Sequence, residues 1–320
     1  MEEVMNNSDF IQWLLLAKTP SIRNITLRQL LGRLERDPEV KTEQQEMKTT
    51  GPIPDILSHQ TEAGCWSGER SYYTPKYTST HWSMLMLTEL GADGSDPRLR
   101  KGAAFMLSAT QNELKMTLEK GGHGLSCFWG NLLRYALHCG QANNSQMQDI
   151  IQYLADDGQN DWCCSYNGGL PCAWGTARAL WGLAALPSYQ RTPQVEATIQ
   201  SGLTFILEKH RLIAADYPTS GQVHPLWFRL NFPLFYQADI LFVLRVVIEL
   251  GALNHPGARS ALEWLVSQCG PKGCWYGSNP FRRRTWPVLG DPEETSRWVS
   301  LFSAIILRQA GMETFVTRSY

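Results

Sequence analysis

The sequence predicts an all-α fold made of helical hairpins, and three observations support this prediction. Apolar residues recur at helical spacing through most of the 320 residues. Each apolar run stops at a short break that contains Gly or Pro, as helices commonly do. The same order of segments returns at intervals of roughly 47 to 64 residues, close to the range of repeated helical arrays. No β-sheet is predicted.

The repeating unit begins with an aromatic turn, continues into an apolar helix and is followed by a more polar helix. The five predicted apolar helices cover residues 80–87, 127–137, 177–186, 240–250 and 298–307. Helices predicted over residues 98–109 and 259–268 carry charged and amide side chains on one face. We therefore expect the apolar helices on the inside and the polar ones on the outside.

Hairpins of this kind cannot bury their apolar faces alone, so they must stack on one another or close into a ring. We expect a closed α/α toroid over residues 51–320, with an open solenoid as the alternative. Residues 1–50 differ from the repeats. Their sequence predicts a short helical pair at 11–16 and 22–34, followed by a polar helix end or linker at 41–48. We expect this segment to cap the ring.

Composition excludes several classes of partner. The net charge is −1, so no strong positive field favours nucleic acid or an anionic membrane. No run approaches the roughly 20 apolar residues of a transmembrane helix. The N-terminus lacks the basic and apolar regions of a secretory signal. We expect a cytoplasmic protein whose eight cysteines are thiols or metal ligands.

The aromatic turns carry a resemblance to a known superfamily. The turns Gly64-Cys65-Trp66 and Gly273-Cys274-Trp275, each followed by an inner helix, resemble the repeats of squalene-hopene cyclases and protein prenyltransferases. The resemblance spans about residues 55–312 and is strongest to stand-alone bacterial repeat proteins. It implies a toroid, and an enzyme that acts on a hydrophobic, isoprenoid-type substrate in a central cavity.

Two features depart from those families. The Asp-x-Asp-Asp acid motif of class II cyclases is absent from the sequence. Protein prenyltransferases hold zinc with an Asp, a Cys and a His, and the resemblance matches only their Cys, at Cys172. Leu170 stands at the position of their Asp and Gln237 at the position of their His. A zinc site of the prenyltransferase type is therefore not expected to be intact.

A differently built zinc site is nevertheless predicted at the starts of the inner helices, which should meet at one mouth of the ring. Zinc is usually held by about four Cys, His or carboxylate ligands. Cys127 and Cys172 begin neighbouring inner helices, and Cys164 or Cys163 lies in the turn between them. His81, His123 or Asp239 could supply the fourth ligand, and His81 is the favoured one. The alternative is that these cysteines are small buried hydrophobes.

Asp239 is the candidate catalytic acid. We expect it one turn into an almost wholly apolar inner helix, where burial would raise its pKa and keep it protonated. It could then serve as the proton donor of a metal-free, class II-like cyclase. The alternative is a structural carboxylate that accepts hydrogen bonds from N–H groups at a helix start.

Aromatic and arginine side chains complete the predicted site. Ring faces can stabilise a carbocation or hold an isoprenoid chain, although aromatic residues on inner helices are also ordinary core. The candidates are Trp82, Trp129, Trp174, Tyr236 and Trp298. Arg282 and Arg284 could bind a diphosphate, or lie solvated in a loop. A third possibility is a non-enzymatic toroid that binds a lipid or an unidentified protein partner.

Overall fold

The fold is seen in a computed structural model that describes residues 7–69, 71–219 and 221–312. These residues form thirteen α-helices and short 3-10 and π turns, with no β-strand among them. The all-α prediction is confirmed. None of the helices in the described ranges combines the length and apolar character needed to cross a membrane.

The thirteen helices follow the predicted order. They are α1 Asn7–Leu15, α2 Pro20–Ile25, α3 Pro38–Thr49, α4 Pro52–Ser58, α5 Thr80–Glu89, α6 Pro97–Glu119, α7 Ser126–His138, α8 Gln146–Gln159, α9 Ala173–Ala184, α10 Pro193–Thr204, α11 Ile240–Glu249, α12 Arg259–Ser267 and α13 Pro292–Gln309. The five predicted apolar helices correspond to α5, α7, α9, α11 and α13.

Burial separates two kinds of helix. Every residue of α5 except Thr88 is buried, and α9 exposes only Trp174 and Ala184 in part. The helices α6 and α12 bury one face and leave their charged residues in solvent. This difference follows from their sequences, because α6 and α12, unlike α5 and α9, have a polar face that water can solvate.

The buried helices contact one another in chain order. Helix α5 packs on α7, α7 on α9, α9 on α11 and α11 on α13. Helix α13 also contacts α2, and the contacts continue from α2 to α3, from α3 to α4 and from α4 back to α5. The polar helices α6, α8, α10 and α12 pack against these buried helices.

The tightest of these contacts, between α7 and α9, depends on two glycines. A Cβ atom added to Gly130 would lie 2.3 Å from the carbonyl oxygen of Arg178, and one added to Gly182 would lie 2.4 Å from that of Gly130. The helix backbones therefore touch directly. This contact brings the amino-terminal ends of α7 and α9 close together, with Cys127 on one and Cys172 at the start of the other.

The aromatic turns repeat the same hydrogen bond. The indole N–H of Trp66 donates to the carbonyl oxygen of Ile56 at 2.7 Å, and that of Trp275 donates to Leu265 at 2.8 Å. In both cases the acceptor lies ten residues earlier in the chain. Each tryptophan thus ties its turn to the end of the preceding helix.

The N-terminal segment is joined to the last helix. The backbone N–H groups of Lys18 and Thr19 donate to the carboxylate of Glu294 on α13, at 3.1 and 2.8 Å. That carboxylate caps the start of α2, for which Thr19 offers no side-chain cap. The polar stretch 41–48 belongs to α3, which Asp37 caps, so the linker interpretation of that stretch does not hold.

The same hydrophobic core includes residues of α1 to α4 and of the later helices. The predicted segments 1–50 and 51–320 therefore pack together. The parts of those segments at residues 1–6, 70, 220 and 313–320 lie outside the described residues.

Candidate functional site

A cavity of about 560 Å³ opens at the amino-terminal ends of α7 and α9, beside the loops that precede α5 and α11. Its volume lies within the range of small-molecule sites, which is roughly 300 to 1,000 Å³. Aromatic rings dominate its wall. They belong to Tyr72, Tyr73, Phe128, Tyr166, Trp174 and Tyr236. The cavity is therefore suited to a molecule with a large apolar surface.

Three of the predicted metal ligands line this cavity, namely Cys127, Cys164 and Cys172. Cys127 lies in the first turn of α7, Cys172 is the residue that caps α9, and Cys164 belongs to the loop between α8 and α9. The structure thus brings Cys127 to the same cavity wall as Cys164 and Cys172, which follow it in the sequence by 37 and 45 residues.

Backbone pairing positions Cys164 and Cys172. The N–H of Cys164 donates to Leu170 at 3.1 Å, the N–H of Cys172 donates to Trp162 at 2.9 Å, and an antiparallel bridge between Cys163 and Pro171 lies between these bonds. In such a pairing, alternate residues point to one face. Because Cys172 lies opposite Trp162, the Cys164 and Cys172 side chains share that face.

The two thiols are neighbours in the cavity wall. The Cys172 sulfur accepts the N–H of Gly175 at 3.3 Å, in the first turn of α9. The N–H of Asn167 donates to the carbonyl oxygen of Cys164 at 2.9 Å. Interaction with the Cys172 thiol lowers the pKa of the Cys164 thiol to about 6, and the same interaction raises the pKa of Cys172.

Cys127 has a different environment. Burial raises the pKa of its thiol to about 12, so this group stays protonated at neutral pH. Among the three cysteines that line the cavity, only the Cys164–Cys172 pair holds a sulfur that is readily ionised.

The predicted zinc ligands do not form a convergent set. His81 does not line the cavity; its ring stacks on Phe128 with centroids 4.5 Å apart, and its Nδ1 lies 3.1 Å from the Tyr135 hydroxyl. Burial lowers the pKa of His81 to about 3. Within the described ranges, no group of three or more His, Cys, Asp or Glu side chains is arranged to hold a metal ion. The donors as placed therefore do not fit a zinc centre.

Asp239 also lies outside the wall of this cavity. Helix α11 begins at Ile240, so Asp239 is its cap and not a residue one turn inside it. Its carboxylate accepts hydrogen bonds from the N–H of Phe242 at 2.7 Å and from both the backbone N–H and the amide group of Asn231 at 2.9 Å. Burial raises its pKa to about 6. This geometry matches the structural alternative.

The five predicted aromatic residues divide into two groups. Trp174 and Tyr236 line the cavity with ring centroids 6.0 Å apart. Trp82, Trp129 and Trp298 are buried in the core and do not line it. The Trp82 indole N–H donates to Tyr73, and Trp298 stacks on Phe232 with centroids 4.5 Å apart.

The predicted arginines are exposed and do not line the cavity; Arg284 lies over the ring of Tyr77, at 4.8 Å, and Arg282 is in the same loop. The cation that does line the cavity is Lys76. Its ammonium lies 5.1 Å from the ring centroid of Tyr236 and 5.7 Å from that of Tyr73. No ion pair joins it to a carboxylate of the described residues.

Sequence reasoning missed several residues that build the site. Tyr72 and Tyr73 lie in the loop before α5, and the adjacent aromatic pair was the available signal. Asp157 is another such residue. It is buried, and it accepts hydrogen bonds from the N–H of Gly124 at 2.8 Å and from the Ser126 hydroxyl, which fixes the turn that starts α7.

A second cavity of about 420 Å³ lies between the N-terminal helices and the loop after α5. Its wall is polar, and charges on it are already paired, as in Lys48 with Asp93 at 3.4 Å and Arg98 with Asp96 at 2.7 Å. The thiol-lined aromatic cavity is therefore the better candidate. Comparisons with protein-family models, with curated proteins and with solved structures find no match for this chain.

Proposed function

We propose that this chain is an enzyme of the terpenoid-cyclase and prenyltransferase toroid type, which binds a small hydrophobic, isoprenoid-like molecule in the 560 Å³ cavity. The observation that carries the proposal is the chemistry of the wall. Aromatic rings offer apolar faces to such a chain, while cysteine thiols and one ammonium group supply reactive or polar atoms.

The proposal of a closed toroid rests on the order of helix contacts. The buried helices touch in the sequence α5, α7, α9, α11 and α13, and the contacts return to α5 through α2, α3 and α4. A ring of this kind places the amino-terminal ends of the buried helices around one opening. The cavity at the starts of α7 and α9 supports this arrangement.

The cavity thiols are better placed for chemistry than the other candidate groups. Asp239 is held by its three hydrogen bonds away from the cavity wall. The described donors do not converge on a metal position, so no step is derived through zinc. The second candidate function is a non-enzymatic lipid-binding protein that uses the same cavity. Unlike the proposed enzyme, it would release its ligand chemically unchanged.

Binding of farnesol, an uncharged isoprenoid alcohol, tests the proposal. We expect saturable binding in isothermal titration calorimetry. Trp174→Ala should weaken binding about tenfold, because losing one aromatic face costs about 1.4 kcal/mol. Tyr189→Ala is the matched control, since Tyr189 is 69% exposed and does not line the cavity.

The absence of saturable farnesol binding in a folded protein would overturn the proposed ligand class. Equal affinity in the Trp174→Ala variant would show that farnesol binds elsewhere. Mass spectrometry of the farnesol recovered after incubation then separates the two functional candidates. A changed product supports an enzyme, and unchanged farnesol supports a binding protein for this ligand.

A further inference from the structure

We propose that the cavity selects a hydrophobic molecule that carries a single carboxylate, and that the ammonium group of Lys76 binds this carboxylate at the solvent-facing rim. The inference rests on the proposed function, because it concerns the same cavity and the same class of apolar ligand. It adds the head group of that ligand and the residue that recognises it. Lys76 is thereby a specificity-determining residue.

The first support is the distribution of exposed and buried residues around the cavity wall. Lys76 is exposed and Tyr166 is 80% exposed, so both belong to the rim. Phe128 and Gln237 line the same cavity but are buried, so they belong to its deep part. A molecule with an apolar chain and a charged head can therefore bury the chain and keep the charge near water, which avoids the free-energy cost of burying an ion.

The second support is a row of aromatic rings that passes Lys76. The ring centroids of Phe128 and Tyr73 are 6.2 Å apart, and those of Tyr236 and Trp174 are 6.0 Å apart. The Lys76 ammonium lies between these two pairs, 5.7 Å from the Tyr73 centroid and 5.1 Å from that of Tyr236. An apolar chain that starts at the buried Phe128 and follows the rings toward the rim therefore brings its head group to the ammonium.

The third support is the anchoring of the loop that carries Lys76. The next residue, Tyr77, is buried, and its ring centroid lies 4.6 Å from that of Phe235 and 4.4 Å from that of Phe281. The carbonyl oxygen of Tyr77 accepts the hydroxyl of Thr285 at 3.2 Å. Because the backbone beside Lys76 is fixed in the core, less conformational entropy is lost when the ammonium binds a ligand.

The charges on the wall favour one carboxylate over a diphosphate. Among the described residues that line the cavity, Lys76 is the one Lys or Arg and Glu113 is the one Asp or Glu. Lys76 forms no ion pair with a carboxylate of the described residues, and Glu113 accepts the hydroxyl of Tyr72 at 2.5 Å. Burial lowers the pKa of His224, so its ring supplies no charge at neutral pH. One ammonium group balances one carboxylate, whereas a diphosphate needs several cations.

Farnesoate, the carboxylate that corresponds to farnesol, tests the head group. Isothermal titration calorimetry compares the two ligands at about pH 7, where a carboxylic acid is ionised, and below the concentration at which either ligand aggregates. We expect farnesoate to bind about fivefold more tightly than farnesol, which is the upper end of what a partly exposed ion pair contributes. About 0.5 M salt should remove most of this preference, because salt screens an exposed pair.

Variants of Lys76 test the assigned residue. Lys76→Met removes the charge and should weaken farnesoate binding about fivefold, so that the two ligands bind with nearly equal affinity. Lys76→Arg keeps a positive charge and should retain most of the preference for farnesoate. Lys41→Met is the matched control, since Lys41 is exposed on α3 and does not line the cavity. An undiminished preference for farnesoate in a folded Lys76→Met protein would overturn the role of Lys76.

Farnesyl diphosphate, measured without added metal, tests the single charge. It should bind more weakly than farnesoate, because one ammonium group faces it and Glu113 repels it. Tighter binding of the diphosphate would overturn the assignment of a monocarboxylate. Saturable farnesol binding with no preference for farnesoate would overturn this inference and leave the proposed function standing. Binding of neither ligand to the folded protein would overturn both.

Discussion

The guanidinium of Arg178 donates two hydrogen bonds to the backbone carbonyl oxygen of Gln237, at 3.0 and 2.6 Å, and is fully buried. It also lies 3.7 Å from the ring centroid of Phe242 and 3.9 Å from the carboxylate of Glu89. This side chain therefore joins α9 to the segment that leads into α11, and it reaches α5. Gln237 itself lines the cavity.

Replacing Arg178 with Met should destabilise the protein by about 3 kcal/mol, because Gln237 loses both donors and Glu89 loses part of its compensation. Urea unfolding measures this change. Arg134→Met is the matched control. Arg134 also lies over Trp181 and pairs with Glu249, but nearer to solvent, so about 1 kcal/mol or less is expected. Equal losses in the two variants would contradict a special role for Arg178.

Gly130 should not tolerate a methyl group. The added Cβ would lie 2.3 Å from the carbonyl oxygen of Arg178, so α7 and α9 would have to separate. We expect Gly130→Ala to cost about 2 kcal/mol or more in thermal or urea unfolding.

Gly175→Ala is the matched control for that substitution. Its Cβ would meet Ser126 and Cys172 at ordinary contact distances of 3.5 and 3.6 Å, and its N–H remains available to Cys172. Alanine is also the better helix former, so this variant should be as stable as the wild type or slightly more stable. A strongly destabilised Gly175→Ala variant would contradict the packing described for the start of α9.

Much of the fold could be predicted because its signals are local. The five buried helices lie over the predicted segments, since apolar runs and Gly breaks specify them directly, although α13 begins at Pro292, six residues before its predicted start. The proximity of the starts of α7 and α9 could be predicted for the same reason. The direction in which each side chain points could not be predicted. A helix buried on all sides has no polar face, so nothing in the sequence tells that Trp82 packs in the core while Trp174 lines the cavity.

The other residues whose positions the sequence did not predict lie in loops and at helix boundaries. Asp239 precedes α11 by one residue, and that small shift changes it from a side chain inside the helix to a cap. The loop that carries Tyr73 and Lys76 reaches the cavity through tertiary contacts that no periodic pattern encodes. No local pattern identifies Asp157 either, because its partners, Gly124 and Ser126, lie more than thirty residues earlier in the chain.

Asp239 should govern a pH-dependent part of stability. Its pKa is raised from 3.8 to about 6, so the native state holds this proton more tightly than the unfolded chain does. The resulting stabilisation is fully present below about pH 4 and is lost as pH rises through about 6. The Asp239→Asn variant lacks this titrating group. The free energy of unfolding of the wild type, relative to that of the variant, should therefore fall by about 3 kcal/mol between about pH 4 and about pH 6.

Urea unfolding of both proteins at several pH values measures that difference. If the stability of the wild type relative to the variant instead increased from pH 4 to pH 6, the hydrogen bonds from Asn231 and Phe242 would outweigh the effect of burial on the carboxylate pKa. The same variant should bind farnesol like the wild type, because Asp239 does not line the cavity. Loss of farnesol binding in a folded Asp239→Asn protein would show that Asp239 belongs to the binding site.

Metal analysis tests the predicted zinc site directly. Because the described donors do not converge, we expect well below one zinc per chain in protein purified without added metal. Cys172→Ser should leave the zinc content unchanged. Stoichiometric zinc in the wild type that is lost in this variant would assign these cysteines to a metal.

The carboxylate of Glu294 has a consequence for biosynthesis. It supplies the acceptor for the N–H groups of Lys18 and Thr19, yet the ribosome makes it some 275 residues after them. The N–H groups at the start of α2 therefore lack this acceptor until α13 has left the exit tunnel. The contact between α2 and α13 can form only after almost all of the described chain has been made.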